Sequence, residues 1–166
     1  MLCVIAFRVK LQYAGFMPEF VVHEHHARRL HFDFRLELEG VLKSWAVPKG
    51  PSMNPADKRL AVMVEDHHLD YGSFEGIIPE GQYGAGAVRI WDRGTYKLLG
   101  GGLESGKIEF LLHGITLKGI FVLTKMRGKD KEWLLIKKKD EYADPHFALK
   151  TVLAPHKTSF DNFIIC

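Results

Sequence analysis

From Leu30 to Glu39 apolar and polar residues alternate without a break. Leu30, Phe32, Phe34, Leu36 and Leu38 fall on one side, and His31, Asp33, Arg35, Glu37 and Glu39 on the other. A strand turns successive side chains to opposite faces, so this period of two predicts a half-buried β-strand. Glu39-Gly40 predicts a tight hairpin turn into a strand over 41–47. Pro48-Lys49-Gly50-Pro51 ends that strand, because proline has no N–H to give to a ladder. A second alternation sets Arg59, Ala61, Met63, Glu65 and His67 against Leu60, Val62, Val64 and Asp66. If that strand runs through, Arg59, Glu65 and His67 share a face. With the apolar members of both runs packed inward, each strand keeps one wet face.

The remaining pattern is similar. Residues 20–23 predict a short strand leading to the histidines, and 72–86 are rich in loop residues. Short strands follow at 87–91 and 95–99, joined by Asp92-Arg93-Gly94, and then at 107–113, 118–125 and 132–138. Residues 141–150 are the best helix candidate, although Pro145 would interrupt it. Regular short strands with glycine turns predict a mainly β fold, a compact antiparallel β-barrel with few short helices.

Composition narrows the class only a little. The 166 residues suit a single domain over 1–166, with 1–19 and 151–166 as atypical ends. Apolar residues at 46% and charged residues at 26% are a globular balance. A net charge of +3 permits a nucleic-acid partner without requiring one. Cys3 and Cys166 form neither a disulfide framework nor a zinc-type pair, which fits a reducing cytoplasm. The apolar start 1–7 stops at Arg8, too short for a secretory leader, and reads as a first strand or a loosely packed end. No apolar run approaches membrane-spanning length.

Two imidazoles and a carboxylate, His25, His31 and Asp33, are a recurrent ligand set for manganese, iron or zinc. His31 and Asp33 lie two apart on one strand face, roughly 6–7 Å along the strand, so both can reach one ion. His25 could return to them through the turn at 27–29. Any one of His23, His25, His26 and His31 is more often a solvated side chain than a ligand. The strand face as a group, with Arg35 on it, favours a site. Spacing alone also fits a non-haem Fe(II) oxygenase, with His31, Asp33 and a distant His67 or His113 as a facial triad. Against that, Arg35, Lys49, Arg59, His67 and Tyr71 supply more cationic and donor groups than one oxo-acid needs. They suit a tetrahedral phosphate, which guanidinium groups bind bidentately. The glycine-rich run 81–86 lacks the Lys-Ser/Thr of a phosphate loop and reads as a turn device. The basic runs 125–129 and 137–139 would serve a polyanionic substrate through contacts that salt weakens.

The stretches 25–38, 42–51, 65–71, 74–86 and 133–137 together resemble the 3′-phosphoesterase domain of bacterial DNA ligase D and its stand-alone bacterial and archaeal relatives. The resemblance covers about residues 20–140. It implies a compact β-barrel and a manganese-dependent hydrolase, with cobalt or zinc as alternatives, that heals 3′ ends in break repair by non-homologous end joining. Such domains trim a 3′-terminal ribonucleoside to leave a 3′-phosphate, then remove that phosphate to expose a 3′-hydroxyl. By position, His25, His31 and Asp33 would be the metal ligands. Arg35, Arg59 and His67 would hold the scissile phosphate, with Tyr71 close by and Lys49 and Glu65 in support. Arg35 and Arg59 would stabilise transition-state charge, and His67 would serve as general acid or as hydrogen-bond donor. His23 stands where the family commonly has glutamine, and His26 where it has an acid. The family's N-terminal acidic and arginine residues are not recognisable in 1–19. The implied partners are nucleic-acid 3′ ends, such as a primer-template with a 3′-phosphate or 3′-ribonucleotide, and a separate DNA ligase. A monomer is expected. A third reading is a non-catalytic barrel that binds nucleic-acid ends, which would want a run of exposed aromatics for stacking.

Overall fold

The computed structural model describes residues 15–153. The apolar start and both cysteines lie outside them. The strands are β1 (Glu19–His26), β2 (Leu30–Leu38), β3 (Val41–Val47), β4 (Lys58–His67), β5 (Gly76–Ile78), β6 (Gly86–Gly102), β7 (Lys107–Gly114), β8 (Lys118–Lys125) and β9 (Glu132–Lys137). A single 3-10 turn, Leu69–Ser73, joins β4 to β5. Every strand pair is antiparallel, in the order β1-β2-β3-β4-β9-β8-β7-β6-β5. β1 also pairs with β6, which closes eight strands into a barrel and leaves β5 as an added edge. No helix among the described residues is long and apolar enough to cross a membrane.

The alternation decides what fills the barrel. Phe20 and Val22 of β1, Phe32, Phe34 and Leu36 of β2, and Trp45 and Val47 of β3 all point inward and are buried. The ring of Phe110 stands 5.8 Å from Phe34, 6.4 Å from Phe121 and 6.1 Å from Tyr96, so a column of aromatics occupies the axis. Trp45 and Trp133 meet edge to face at 6.0 Å. Burying one such ring is worth about 2–3 kcal/mol by area alone.

Glu39 and Gly40 carry φ of 57° and 79°, the paired left-handed conformations of a type I′ hairpin. That turn sets Leu38 opposite Val41, and hence Arg35 opposite Ser44.

Four expectations change. β6 is one strand of 17 residues, not two joined at 92–94. At Gly94 an added Cβ would lie 2.1 Å from the His113 carbonyl oxygen, so β7 approaches too closely for any other residue there. Asp92, whose side chain was expected in a turn, caps the 115–117 loop: its carboxylate accepts from the N–H groups of Ile115, Thr116 and Leu117.

Residues 141–150 form turns rather than a helix. The carboxylates of Asp140 and Asp144 accept from the N–H groups of Tyr142 and His146, local bonds that compete with a helix. The Pro145 and Lys150 carbonyls accept from Asn54 Nδ2 and Trp91 Nε1, which straps the segment to the barrel.

In β4, three residue steps from Val64 to His67 run against two from Ser44 to Leu42 in β3, which is a bulge. Arg59 therefore stays on the side of buried Ala61, while His67 is carried to the opposite face. The shared face for Arg59 and His67 does not form.

Finally, the middle of the polar face of β2 is not wet, although Glu39 at its end is exposed. Asp33 is 7% and Arg35 3% exposed, because neighbouring histidines and the 3-10 turn cover them.

Candidate metal and phosphate site

With Phe20 and Val22 inside, Val21, His23 and His25 of β1 must face outward. The same parity sends His31, Asp33 and Arg35 of β2 outward. The antiparallel register places His25 opposite His31 and His23 opposite Asp33. One ligand atom from each of His25, His31 and Asp33 lies within 4.8 Å of the others. His113 stands exposed on β7, opposite Thr95, and is no part of this group.

The two imidazoles are oriented by backbone carbonyls. His25 Nε2 is 2.6 Å from the Gly84 carbonyl oxygen, and His31 Nδ1 is 3.1 Å from that of Arg29. A carbonyl can only accept, so each of those nitrogens carries the proton. The remaining nitrogens, His25 Nδ1 and His31 Nε2, lie 3.4 and 3.6 Å from the two Asp33 carboxylate oxygens. Ligands about 2.0–2.2 Å from one ion are themselves roughly 3.0–3.6 Å apart, so the set fits a divalent metal. Such carbonyl bonds behind ligating histidines are the usual means of fixing their tautomer. Burial works against ionising Asp33, but hydrogen bonds from His25 and His31, whose protons stand where an ion would, and the Arg35 charge outweigh it and hold the carboxyl well below its usual range. His31 is drawn upward chiefly by its contact with Asp33, against the opposing effect of burial.

Arg35 lies behind this group. Nε donates to His23 Nδ1 (3.2 Å), Nη1 to Ser44 Oγ (2.8 Å), and Nη2 to Asp33 Oδ2 (3.3 Å). His67 Nδ1 is also 3.1 Å from Arg35 Nη1. Four of the five guanidinium N–H groups are thus engaged within the protein. The bidentate phosphate grip expected of Arg35 is not free in this arrangement. What it presents outward is charge and one Nη2 proton.

His67 Nδ1 also lies 3.0 Å from the Glu65 carbonyl oxygen, and one nitrogen cannot both accept from Arg35 and donate to Glu65. Burial, then the Arg35 charge, lowers the His67 pKa and favours the neutral ring. Because a guanidinium can only donate, the Arg35 contact is met by the tautomer that accepts at Nδ1 and carries its proton on Nε2. His23, fully buried, is lowered to about 4 by burial and then by Arg35, so it too is a neutral acceptor. Tyr71, from the 3-10 turn, covers the cluster. Its ring is 4.7 Å from His67, 5.5 Å from His23 and 4.9 Å from Phe74, with Arg35 stacked over it at 5.0 Å. Burial raises its phenol pKa against the opposing Arg35 charge.

The fold therefore gathers His25, His31, Asp33, Arg35, His67 and Tyr71. Among the described residues, no hydrogen bond, ion pair or ring contact ties the side chains of Lys49, Arg59 or Glu65 to them. Lys49 is exposed after β3, and Arg59 donates to Asp57 at 3.0 Å. The exposed Glu65 carboxylate reaches His67 only through its field; the 3.0 Å contact is with the Glu65 carbonyl. Sequence reasoning missed His23, Ser44 and Gly84. The first two follow from strand parity and from counting back around the Glu39-Gly40 turn. Nothing local marks Gly84.

Comparison with known proteins identifies the family. A family model described as the DNA ligase D 3′-phosphoesterase domain matches residues 23–125. The multifunctional non-homologous end joining protein LigD of Pseudomonas aeruginosa is 57% identical over 126 residues, covering 73% of this chain and 15% of that protein. The corresponding DNA repair protein LigD of Mycobacterium tuberculosis is 45% identical over 144 residues, covering 84% of this chain and 19% of that protein. LigD of Mycolicibacterium smegmatis is 45% identical over 136 residues, 76% of this chain and 18% of that protein. The chain thus spans less than a fifth of the length of these relatives. The match runs through every residue of the metal-capable group and through the Arg35, His67 and Tyr71 cluster beside it. This chain belongs to the DNA ligase D 3′-phosphoesterase domain family.

Proposed function

We propose that this domain is a metal-dependent phosphoesterase acting on nucleic-acid 3′ ends at breaks. It would remove a 3′-phosphate and trim a 3′-terminal ribonucleoside, leaving a 3′-hydroxyl for a DNA ligase to use. The observation that carries this reading is the pair of imidazoles whose carbonyl bonds leave one lone pair each beside the Asp33 carboxylate. A divalent ion held there by His25, His31 and Asp33, with manganese the proposed occupant and cobalt or zinc alternatives, would screen phosphoryl charge and acidify water. The rest is work for the chain's own residues. Arg35, fixed by His23 and Ser44, holds positive charge against the phosphoryl oxygens as negative charge grows there. Neutral His67 offers Nε2–H to a phosphoryl oxygen. A neutral imidazole has no proton it can release at useful cost, so His67 serves better as a donor than as a general acid. Tyr71 keeps water from the covered side of Arg35. Lys49 is proposed to reach the substrate's phosphate from the periphery, with Arg59 and Glu65 acting only through their charge and without direct contact. The protein is proposed to act as a monomer in the cytoplasm.

The test is to incubate the protein with manganese and a primer-template ending in a 3′-phosphate or a 3′-ribonucleotide, and to follow end conversion. Wild type should yield a 3′-hydroxyl, and His31→Ala or Asp33→Ala should yield none. Full manganese-dependent activity in either variant would overturn the ligand assignment. No conversion by wild type across several divalent metals would overturn the activity itself.

A further inference from the structure

The loop between β5 and β6 reaches the site and carries a side chain that the chemistry above does not use. Residues 79–86 fold as two successive turns, with Gln82 N donating to the Pro79 carbonyl (3.2 Å) and Ala85 N to that of Gln82 (3.1 Å). Gly81, Gly84 and Gly86 all take positive φ, at 85°, 77° and 140°. The loop is held at two points near the end of its second turn. The Gly84 carbonyl sits on His25 Nε2, and Gly86 lies so close to the His26 carbonyl that a Cβ would be 2.0 Å from it. Immediately before these anchors, Tyr83 is 97% exposed and makes no ring contact, hydrogen bond or ion pair among the described residues. A single exposed tyrosine is ordinary on a protein surface. This one is a single residue away from an atom bonded to a proposed metal ligand.

Gly86 also packs beside Ala27, so the β1–β2 turn adjoins the loop. That turn carries Arg28 and Arg29, both exposed and paired with no carboxylate among the described residues. The Arg29 carbonyl is the group that orients His31, so this turn too is tied directly to the site. Glu80 is the only acid in the two segments, which stay net positive.

An exposed aromatic face beside two free guanidinium groups is the combination by which proteins hold single nucleic-acid strands without reading sequence: stacking on the base, charge on the backbone. We propose that Tyr83 and the Arg28-Arg29 turn form the subsite for the 3′-terminal nucleotides of the strand whose end is processed. The terminal base stacks on the Tyr83 ring, and Arg28 and Arg29 take the adjoining backbone phosphates. Stacking on one open face tolerates any base, so the subsite selects an unpaired or frayed 3′ terminus and not a sequence. The inference rests on the phosphoesterase reading for the identity of the strand end.

The test uses the full chain without added metal, so that nothing turns over. An oligonucleotide ending in a 3′-phosphate carries 2-aminopurine as its terminal base, and the fluorescence is followed as protein is added. Wild type and Tyr83→Phe should quench the probe, because the ring is retained. Tyr83→Ala should lose the quenching and bind roughly tenfold more weakly. Arg28→Ala with Arg29→Ala should keep the quenching at saturation. It should lower the slope of log affinity against log salt by about 1.4, the effect of two single-strand phosphates. Since the Tyr83 side chain is almost fully exposed among the described residues, Tyr83→Ala should melt as wild type does. Unchanged quenching and affinity in Tyr83→Ala, or no quenching by wild type, would overturn the subsite. If the probe is quenched yet no metal supports end conversion, the subsite stands as a binding site and the phosphoesterase reading is the one that falls.

Discussion

The carbonyl oxygen of Gly84 lies 2.6 Å from Nε2 of His25, a bond between residues 59 positions apart that selects which nitrogen of a proposed metal ligand stays free. Gly84 has φ +77°, and a Cβ there would come within 3.3 Å of the His25 ring. Gly84→Ala therefore strains the loop and pushes on the imidazole together. We expect manganese affinity to fall about 10–100-fold, as is usual when a group behind a metal ligand is lost, with melting temperature little changed. Calorimetric titration with manganese measures this, and an unaltered affinity would show that the loop does not hold His25.

His67 separates two chemistries. As a hydrogen-bond donor from Nε2 it can be replaced in part by an amide, and as a general acid it cannot. His67→Ala should lower turnover about 10²–10³-fold, the usual cost of one donor to developing charge. His67→Gln should recover a large part of that loss. Equal activity in the two variants would return His67 to the general-acid role.

Asp92 holds the 115–117 loop through Ile115, Thr116 and Leu117 at 2.9, 3.2 and 2.7 Å. It is buried, as is Leu117. Asp92→Ala leaves the buried Leu117 N–H unpaired, while the N–H groups of exposed Ile115 and Thr116 can turn to water. It should cost about 1–3 kcal/mol, the usual effect of one donor that water cannot reach. Urea unfolding followed by tryptophan fluorescence gives the value, and a loss below about 1 kcal/mol would mean that water replaces the carboxylate.

Lys137 is fully buried at the barrel's end, with its ammonium 2.5 Å from Asp140 Oδ2. Burial works against the Asp140 charge, but the Lys137 bond and the N–H groups of Ile120 and Tyr142 win, and its pKa lies below the usual value. A group depressed on folding stabilises the native state above its unfolded pKa, near 3.9, and that stabilisation is lost as pH falls through the lower folded value. Wild-type stability should therefore drop in that acid window by more than that of Asp140→Asn, which should already be weaker by about 3 kcal/mol at pH 7 because a buried cation has lost its counter-ion. Parallel pH–stability curves for the two proteins would refute the pairing.

Both strands of the β2–β3 hairpin were legible because one buried face imposes a period of two and Glu39-Gly40 fixes the register. The alternation alone set His31, Asp33 and Arg35 on one face, and the structure then shows the register that sets Arg35 opposite Ser44. The helix expected at 141–150 failed because Asp140, Pro145 and contacts to Asn54 and Trp91 offer the backbone better partners than its own i−4 carbonyls. Arg59 and His67 parted because a bulge adds one residue to β4, and no local pattern announces a bulge.

By itself, then, the sequence determined which side chains face out of the barrel and which three could share an ion, since these follow from periodicity and one turn. Only the tertiary structure decided that the outward face of β2 is buried and that His67 joins Arg35. It also decided that a carbonyl from the β5–β6 loop sets the tautomer of His25. These depend on segments far apart in the chain meeting across the barrel's outer wall, where bulges and glycine turns, not periodicity, fix the approach.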